Sequence, residues 1–210
     1  MKPEATYEFF RRLAERTPEP RIELEYDSPY QLLVAVVLSA QTTDKGVNVA
    51  TRRLFPLAPT PQAMIALGEE KLAECIKTIG FYRAKSRNVI ELSRLLIARH
   101  AGEVPSDRAA LEALPGVGRK TANVVLNAIF RQPVMAVDRH VFRVANRTGL
   151  APGKDVGEVE DALMKSVPAD YLLDAHHWLI LHGRYVCTAK KTQCAACCVY
   201  DLCAWSDKAK

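Results

Sequence analysis

No apolar run in the 210-residue chain is long enough to cross a bilayer; the longest, residues 32–38, spans only seven. The opening Met1-Lys2-Pro3-Glu4 runs into mixed charge with no apolar h-region, so no secretory signal and no membrane partner are expected. No period-two alternation is long enough to build a sheet, and there is no low-complexity segment or clear repeat. These absences exclude sandwiches, solenoids and disordered chains. Cysteine is nearly missing from the first 186 residues, where Cys75 stands alone. The other five fall between 187 and 203, and in a reducing compartment so tight a cluster reads as metal before disulfides.

What is present is ordinary in amount and uneven in placement. Hydrophobic residues make up 49% of the chain and charged residues 25%, enough for one large or two small domains with a real core. The net charge is +5, but residues 1–30 carry five basic and seven acidic side chains. Residues 71–100 carry seven basic (Lys71, Lys77, Arg83, Lys85, Arg87, Arg94, Arg99) and two acidic, and residues 111–150 carry six and two. A basic middle suits a polyanion, although a solvated helix face has the same composition.

Apolar residues recur at spacings of three and four, as in Val89, Leu92, Leu95 and Leu96 or Val159, Leu163 and Val167, which reads as core-facing helix. Ser28-Pro29 and Thr60-Pro61 have the form of an N-cap followed by proline in the first turn, and Asp44, Ser106, Asp138 and Asp155 are further cap candidates. Gly68, Gly80, Gly102 and Gly149 stand where helices should stop. The run 32–38 reads as a buried helix, and Cys75 as a core residue of another. The expected fold class is all-α, with about ten helices.

The sharpest segment is Leu114-Pro115-Gly116-Val117-Gly118-Arg119-Lys120-Thr121-Ala122, between expected helices at 107–114 and 119–129. Two glycines in three residues permit a tight turn with positive φ and clear side chains from the amides that open the next helix, where a phosphate can bind. A P-loop needs glycine directly before the lysine, where Arg119 stands; a dinucleotide fingerprint needs a third glycine, where Thr121 stands. The nonapeptide as a whole reads as a helix-hairpin-helix, which grips DNA backbone without reading bases. Lys120 then has two readings, a phosphate contact or an amine nucleophile that forms a Schiff base, with burial, the helix dipole and Arg119 favouring the neutral amine. Asp138, in Val137-Asp138-Arg139-His140-Val141, reads as an N-cap that can also guide protons and stabilise a developing oxocarbenium ion. His140 has a structural role or touches a phosphate.

Cys187, Cys194, Cys197 and Cys203 give Cys-x6-Cys-x2-Cys-x5-Cys. Zinc commonly uses two Cys-x2-Cys knuckles; a single such pair fits a four-cysteine cubane better, with disulfides third. Cys198 is taken as a packed thiol.

The hairpin, the Val137-Asp138 segment and the cysteine loop, together with Leu38-Ser39-Ala40-Gln41-Thr42-Thr43-Asp44 and His176-His177-Trp178-Leu179-Ile180-Leu181-His182-Gly183-Arg184, resemble the endonuclease III family of DNA glycosylases. The resemblance spans nearly the whole chain. It implies a six-helix barrel lobe at 22–132 carrying the hairpin, a second lobe from 1–21 plus 133–210 holding a [4Fe-4S] cluster on the four cysteines, and double-stranded DNA bound across the cleft. It implies a cytoplasmic, monomeric enzyme of base excision repair, a DNA glycosylase and AP lyase. Such an enzyme removes oxidised pyrimidines, acts on abasic sites and nicks the strand by β-elimination. Lys120 would be the nucleophile and Asp138 the assisting carboxylate. Gln41 would fill the gap left by the flipped nucleotide and Phe81 would wedge beside it. Ser39 and Asp44 would lie at the pocket mouth, and Gly116, Val117, Gly118, Arg119 and His140 would hold the backbone.

The chain departs from that pattern at Arg139, where a small polar residue is expected, at Phe81, where an aliphatic wedge is expected, and at the extra Cys198. The rival readings are a monofunctional mismatch or adenine glycosylase of the same superfamily, which generally lacks the lysine, and a non-catalytic DNA-binding module.

Overall fold

The structure, a computed structural model, describes residues 1–208; among them are eleven α-helices, one 3₁₀ turn at Cys194–Ala196 and no strand, the all-α class that the periodicity implies. In chain order the first six helices are α1 (Pro3–Arg16), α2 (Pro29–Leu38), α3 (Asp44–Leu54), α4 (Pro61–Leu67), α5 (Glu69–Ile76) and α6 (Tyr82–His100). The others are α7 (Arg108–Glu112), α8 (Arg119–Phe130), α9 (Arg139–Thr148), α10 (Val156–Ser166) and α11 (Ala169–Tyr185). No helix among the described residues is long and apolar enough to cross a membrane. By its contacts the chain divides into two compact units, Glu23–Phe130 and Met1–Ile22 with Arg131–Lys210. The expected lobe boundaries lay at 21/22 and 132/133.

The unit Glu23–Phe130 is built around α2. The Ser28 hydroxyl accepts the Gln31 amide, Pro29 pre-sets the first turn, and every residue from Tyr30 to Leu38 is buried. A helix apolar on all sides has to be enclosed by others, and α2 packs on α3, α6 and α8. The Tyr30 hydroxyl meets Ser93 Oγ of α6 at 2.7 Å, which satisfies a buried phenol whose pKa burial raises. Val89, Leu92 and Leu96 of α6 are fully buried and Leu95 half so.

In the other unit α11 packs on α1 and α9, and α10 on α9, around Phe9, Phe10, Val141, Val144, Val159, Leu163 and Leu179. An aromatic set joins α1 to α11, with Tyr7–Tyr171 and Tyr171–Trp178 ring centroids at 5.3 and 5.9 Å, and the indole N–H donates to the Thr17 carbonyl. Gly183 lets α11 approach the start of α9. A Cβ there would lie 2.9 Å from His140 Cβ and 3.1 Å from the His140 carbonyl oxygen.

Ser28, Thr60, Asp138 and Asp155 cap helices as expected. Two cap assignments shift by one residue. The α3 cap is Thr43, whose hydroxyl accepts the Gly46 amide, and Asp44 becomes the first helical residue; the α7 cap is Asp107 rather than Ser106. In each case the neighbour's side chain reaches an amide three residues on. Gly68 and Gly149 end helices, whereas Gly80 lies in the turn before α6, and α6 is closed by a left-handed Ala101 just before Gly102. Cys75 is half-buried, not the core residue its helix suggested.

Candidate active site and cysteine centre

The hairpin lies in the unit Glu23–Phe130, between α7 and α8. The Val117 amide donates to the Leu114 carbonyl at 3.1 Å and closes the turn, and Ala122 N donates to Gly118 O as α8 begins. Only one of the two glycines needs left-handed backbone. Gly116 has φ +80, and a Cβ on it would meet Asn88 Nδ2 at 3.0 Å and Val37 Cγ1 at 3.1 Å; Gly118 has ordinary φ and open space where a Cβ would go. The turn therefore requires Gly116, while Gly118 leaves the helix start uncovered. Val117 is buried and its amide is spent in the turn. Arg119 and Lys120 are exposed in the first turn of α8. The burial expected around Lys120 is not supplied by the fold of this chain.

Two loops of the same unit carry the residues expected to meet the opposite strand. Gln41 is the third residue of a turn closed by Thr42 N donating to Ser39 O, and it has φ +54; Phe81, the N-cap of α6, has φ +58. Left-handed backbone costs a residue with a Cβ roughly 1–2 kcal/mol, so the surroundings must hold it. Phe81 is 68% exposed, which rules out an aromatic packed on the surface. Ser39 caps α2 and donates its hydroxyl to the Val36 carbonyl at 2.7 Å; Asp44 is half-buried at the start of α3. Of the seven cations at 71–100, Lys85 is buried and the other six are exposed.

Asp138 caps α9 in the other unit. One oxygen, Oδ1, accepts both the His140 and Val141 amides at 2.7 and 2.9 Å, so the cap uses only half the carboxylate. His140 is half-buried, with its Nδ1 3.2 Å from Arg143 Nη2, and burial lowers its pKa. Arg139 is exposed beside it.

The four expected cysteines behave as a set. Cys187, Cys194, Cys197 and Cys203 line one cavity with about 320 Å³ unfilled by protein atoms, part of it open to solvent; Cys198 is absent from its wall and packs against the core. Among the described residues, no three Cys, His, Asp or Glu converge as one metal ion would require. Four thiols lining one cavity are the donor set that a four-cysteine inorganic core would use. Burial pushes the Cys197 thiol up to about 11, a cost that bound cations reverse. His182 Nε2 lies 3.7 Å from Cys197 Sγ, and burial drops that imidazole to about 4.

A collar of cations that the sequence reading missed surrounds this segment. Arg12 and Arg16 of α1 donate to the Cys198 and Ala196 carbonyls, Arg143 of α9 to Cys187 O at 3.0 Å, and Arg147 to Thr188 O at 2.7 Å. Lys208 donates to Tyr200 O and Cys203 O, and Arg147 Nη1 lies 3.8 Å from Cys187 Sγ. The signal was present as two arginine pairs four apart, 12/16 and 143/147, each on one helix face.

A glycine hairpin feeding a lysine, on an all-helical frame with a four-cysteine loop, defines a helix-hairpin-helix protein. The model of the HhH-GPD superfamily base excision DNA repair proteins matches residues 34–169. Endonuclease III of Escherichia coli (strain K12) is 57% identical over 96% of this chain and 95% of its own length; that of Treponema pallidum (strain Nichols) is 53% identical over 92% of each. A trapped endonuclease III–DNA covalent intermediate superimposes with a TM-score of 0.91 at 44% identity, covering 97% of this chain and 96% of that one. A thermostable thymine-DNA glycosylase shares the fold at 23% identity with a TM-score of 0.87. The chain belongs to the endonuclease III family.

Proposed function

We propose that the chain is a bifunctional DNA glycosylase and AP lyase of base excision repair, acting as a monomer in the bacterial cytoplasm on duplex DNA with oxidised pyrimidines or abasic sites. The observation that carries this reading is Lys120, exposed in the first turn of α8 directly after the hairpin, in a chain 57% identical to an endonuclease III. The damaged nucleotide leaves the stack at a cost of a few kcal/mol. Lys120 Nζ attacks C1′ as the glycosidic bond breaks and the base departs with its electron pair. Nζ loses a proton, its lone pair displaces O4′, which takes up a proton as the sugar ring opens, and a Schiff base forms at C1′. It acidifies C2′, whose proton leaves as the 3′ C–O bond breaks. Asp138 supplies the carboxylate that stabilises the developing oxocarbenium ion, through the oxygen its cap leaves unused. Since Lys120 is exposed in the protein alone, its desolvation comes from the bound duplex. The amides opening α8 and the exposed Arg119 hold the backbone, with His140 beside Asp138 as a further phosphate contact. Gln41 and Phe81 fill the stack, and Ser39 and Asp44 border the base pocket.

We read the hairpin unit as the barrel lobe and the other as the cluster lobe. Cys187, Cys194, Cys197 and Cys203 hold a [4Fe-4S] cluster, which when bound ties their loop into one fold. The collar of Arg12, Arg16, Arg143, Arg147 and Lys208 holds the loop's carbonyls in place. The test is incubation of the purified protein with a duplex bearing one oxidised pyrimidine. Release of the free base together with a β-elimination nick supports the reading; base release without a nick moves it to the monofunctional alternative.

A further inference from the structure

Lys85 is the one cation of the basic stretch 71–100 that does not face solvent: it is 5% exposed, and burial lowers its pKa. Among the described residues it has no carboxylate within ion-pair reach. A buried ammonium without a counter-ion is costly unless its protons are used. Its Nζ donates to Thr42 Oγ1 at 2.9 Å, and that hydroxyl lies 3.4 Å from the Ala40 carbonyl. Thr42 and Ala40 flank Gln41. The Lys85 amide donates to the Phe81 carbonyl at 3.0 Å. One residue thus ties together the two loops whose exposed tips, Gln41 and Phe81, hold left-handed backbone without being glycine.

We propose that Lys85 is a positioning residue for strand opening: it fixes the Gln41 and Phe81 loops in the one arrangement that enters the duplex, and takes no part in the chemistry at C1′. This rests on the duplex-opening role given above to Gln41 and Phe81. Two strained tips in separate loops relax independently unless something couples them. The buried ammonium does this from behind, through Thr42 on one side and its own helical turn on the other. Arginine can keep the donor, methionine fills the space without it, and Thr42→Val removes the acceptor with little change of shape.

The test uses the intact, cluster-loaded protein with Lys85→Met, Lys85→Arg and Thr42→Val. The first readout is the fluorescence of a 2-aminopurine placed opposite a non-cleavable abasic analogue, which rises when the base unstacks. The second is the single-turnover nicking rate at an abasic site in fully paired duplex and in a single strand. Loss of one charge-assisted hydrogen bond predicts that Lys85→Met and Thr42→Val lose about ten-fold or more in rate on paired duplex. Both should lose the fluorescence rise and stay near wild type on single strand, while Lys85→Arg recovers both signals. Equal losses on duplex and single strand, or unchanged fluorescence in Lys85→Met or Thr42→Val, overturn the proposal. Should Lys85→Met fail to fold, Thr42→Val decides. A wild-type protein that nicks but gives no fluorescence rise overturns the role of Gln41 and Phe81 instead, so the two failures are told apart.

Discussion

At the scale of single residues, the hairpin separates two glycines that look alike in the sequence. A side chain at Gly116 meets both the left-handed backbone penalty and the Asn88 and Val37 contacts, while one at Gly118 meets nothing. Gly116→Ala is therefore expected to cost stability, about 1–3 kcal/mol from overlap and strain, along with DNA affinity. Gly118→Ala should melt near the wild-type temperature and lose affinity alike for all sequences, because it covers the amides proposed to grip backbone. Thermal melts beside a binding titration check the pair, and equal melting temperatures for the two variants would contradict it. Asp138→Asn keeps an amide oxygen able to accept the two cap hydrogen bonds and removes the charge. The expected result is an unchanged melt with a rate loss of roughly 10²–10⁴; a fully active variant would leave Asp138 as a cap alone. Much of this was legible in the sequence: the hairpin, the Asp138 cap and the four-cysteine set could be read from spacing. The asymmetry of the glycines could not, because it depends on Asn88 and Val37, distant in sequence. Lys85 was hidden among six exposed cations for the same reason: charge runs do not say which side chain turns inward.

At the scale of elements, α9 has to start where α11 allows. Ala at Gly183 would gain about 1 kcal/mol of helix propensity. It would also place a methyl 3.1 Å from the His140 carbonyl oxygen, a backbone atom that cannot swing aside. The overlap wins by this argument, so Gly183→Ala should lower the melting temperature and, by shifting the start of α9, the reaction rate; a stabilised and fully active variant would refute the close-approach role. The tie from α1 to the cysteine segment is electrostatic. Glu8 is held down at about 2, against an ordinary 4.5, by hydrogen bonds from Arg11 and Arg12, and Arg12 also pairs with Asp201 at 2.6 Å. A carboxylate with a lowered folded pKa contributes stability that is complete above 4.5 and fades as pH falls towards 2. Glu8→Gln should therefore show a flatter stability profile than wild type across that acid window, read by circular dichroism. Identical profiles would show that the pair contributes nothing. The helix count and class followed from periodicity and caps, but the arginine pairs acquire meaning only once α1 and α9 are seen beside the cysteine loop.

At the scale of the whole molecule, the hairpin and Lys120 lie in one compact unit and the four-cysteine cavity in the other. Purified protein should contain about four iron and four sulfide per chain. Stoichiometric zinc without iron in anaerobically prepared protein would overturn the cluster. The claim on which the rest depends is that Lys120 is the amine that attacks C1′. Borohydride reduction during turnover on a duplex with one oxidised pyrimidine, followed by mapping of the cross-linked peptide, tests it directly. The account predicts a stable protein–DNA adduct on Lys120, and a Lys120→Ala protein that binds abasic duplex but releases no base, makes no nick and traps no adduct. An adduct on another amine, or trapping by Lys120→Ala at the wild-type rate, would contradict it.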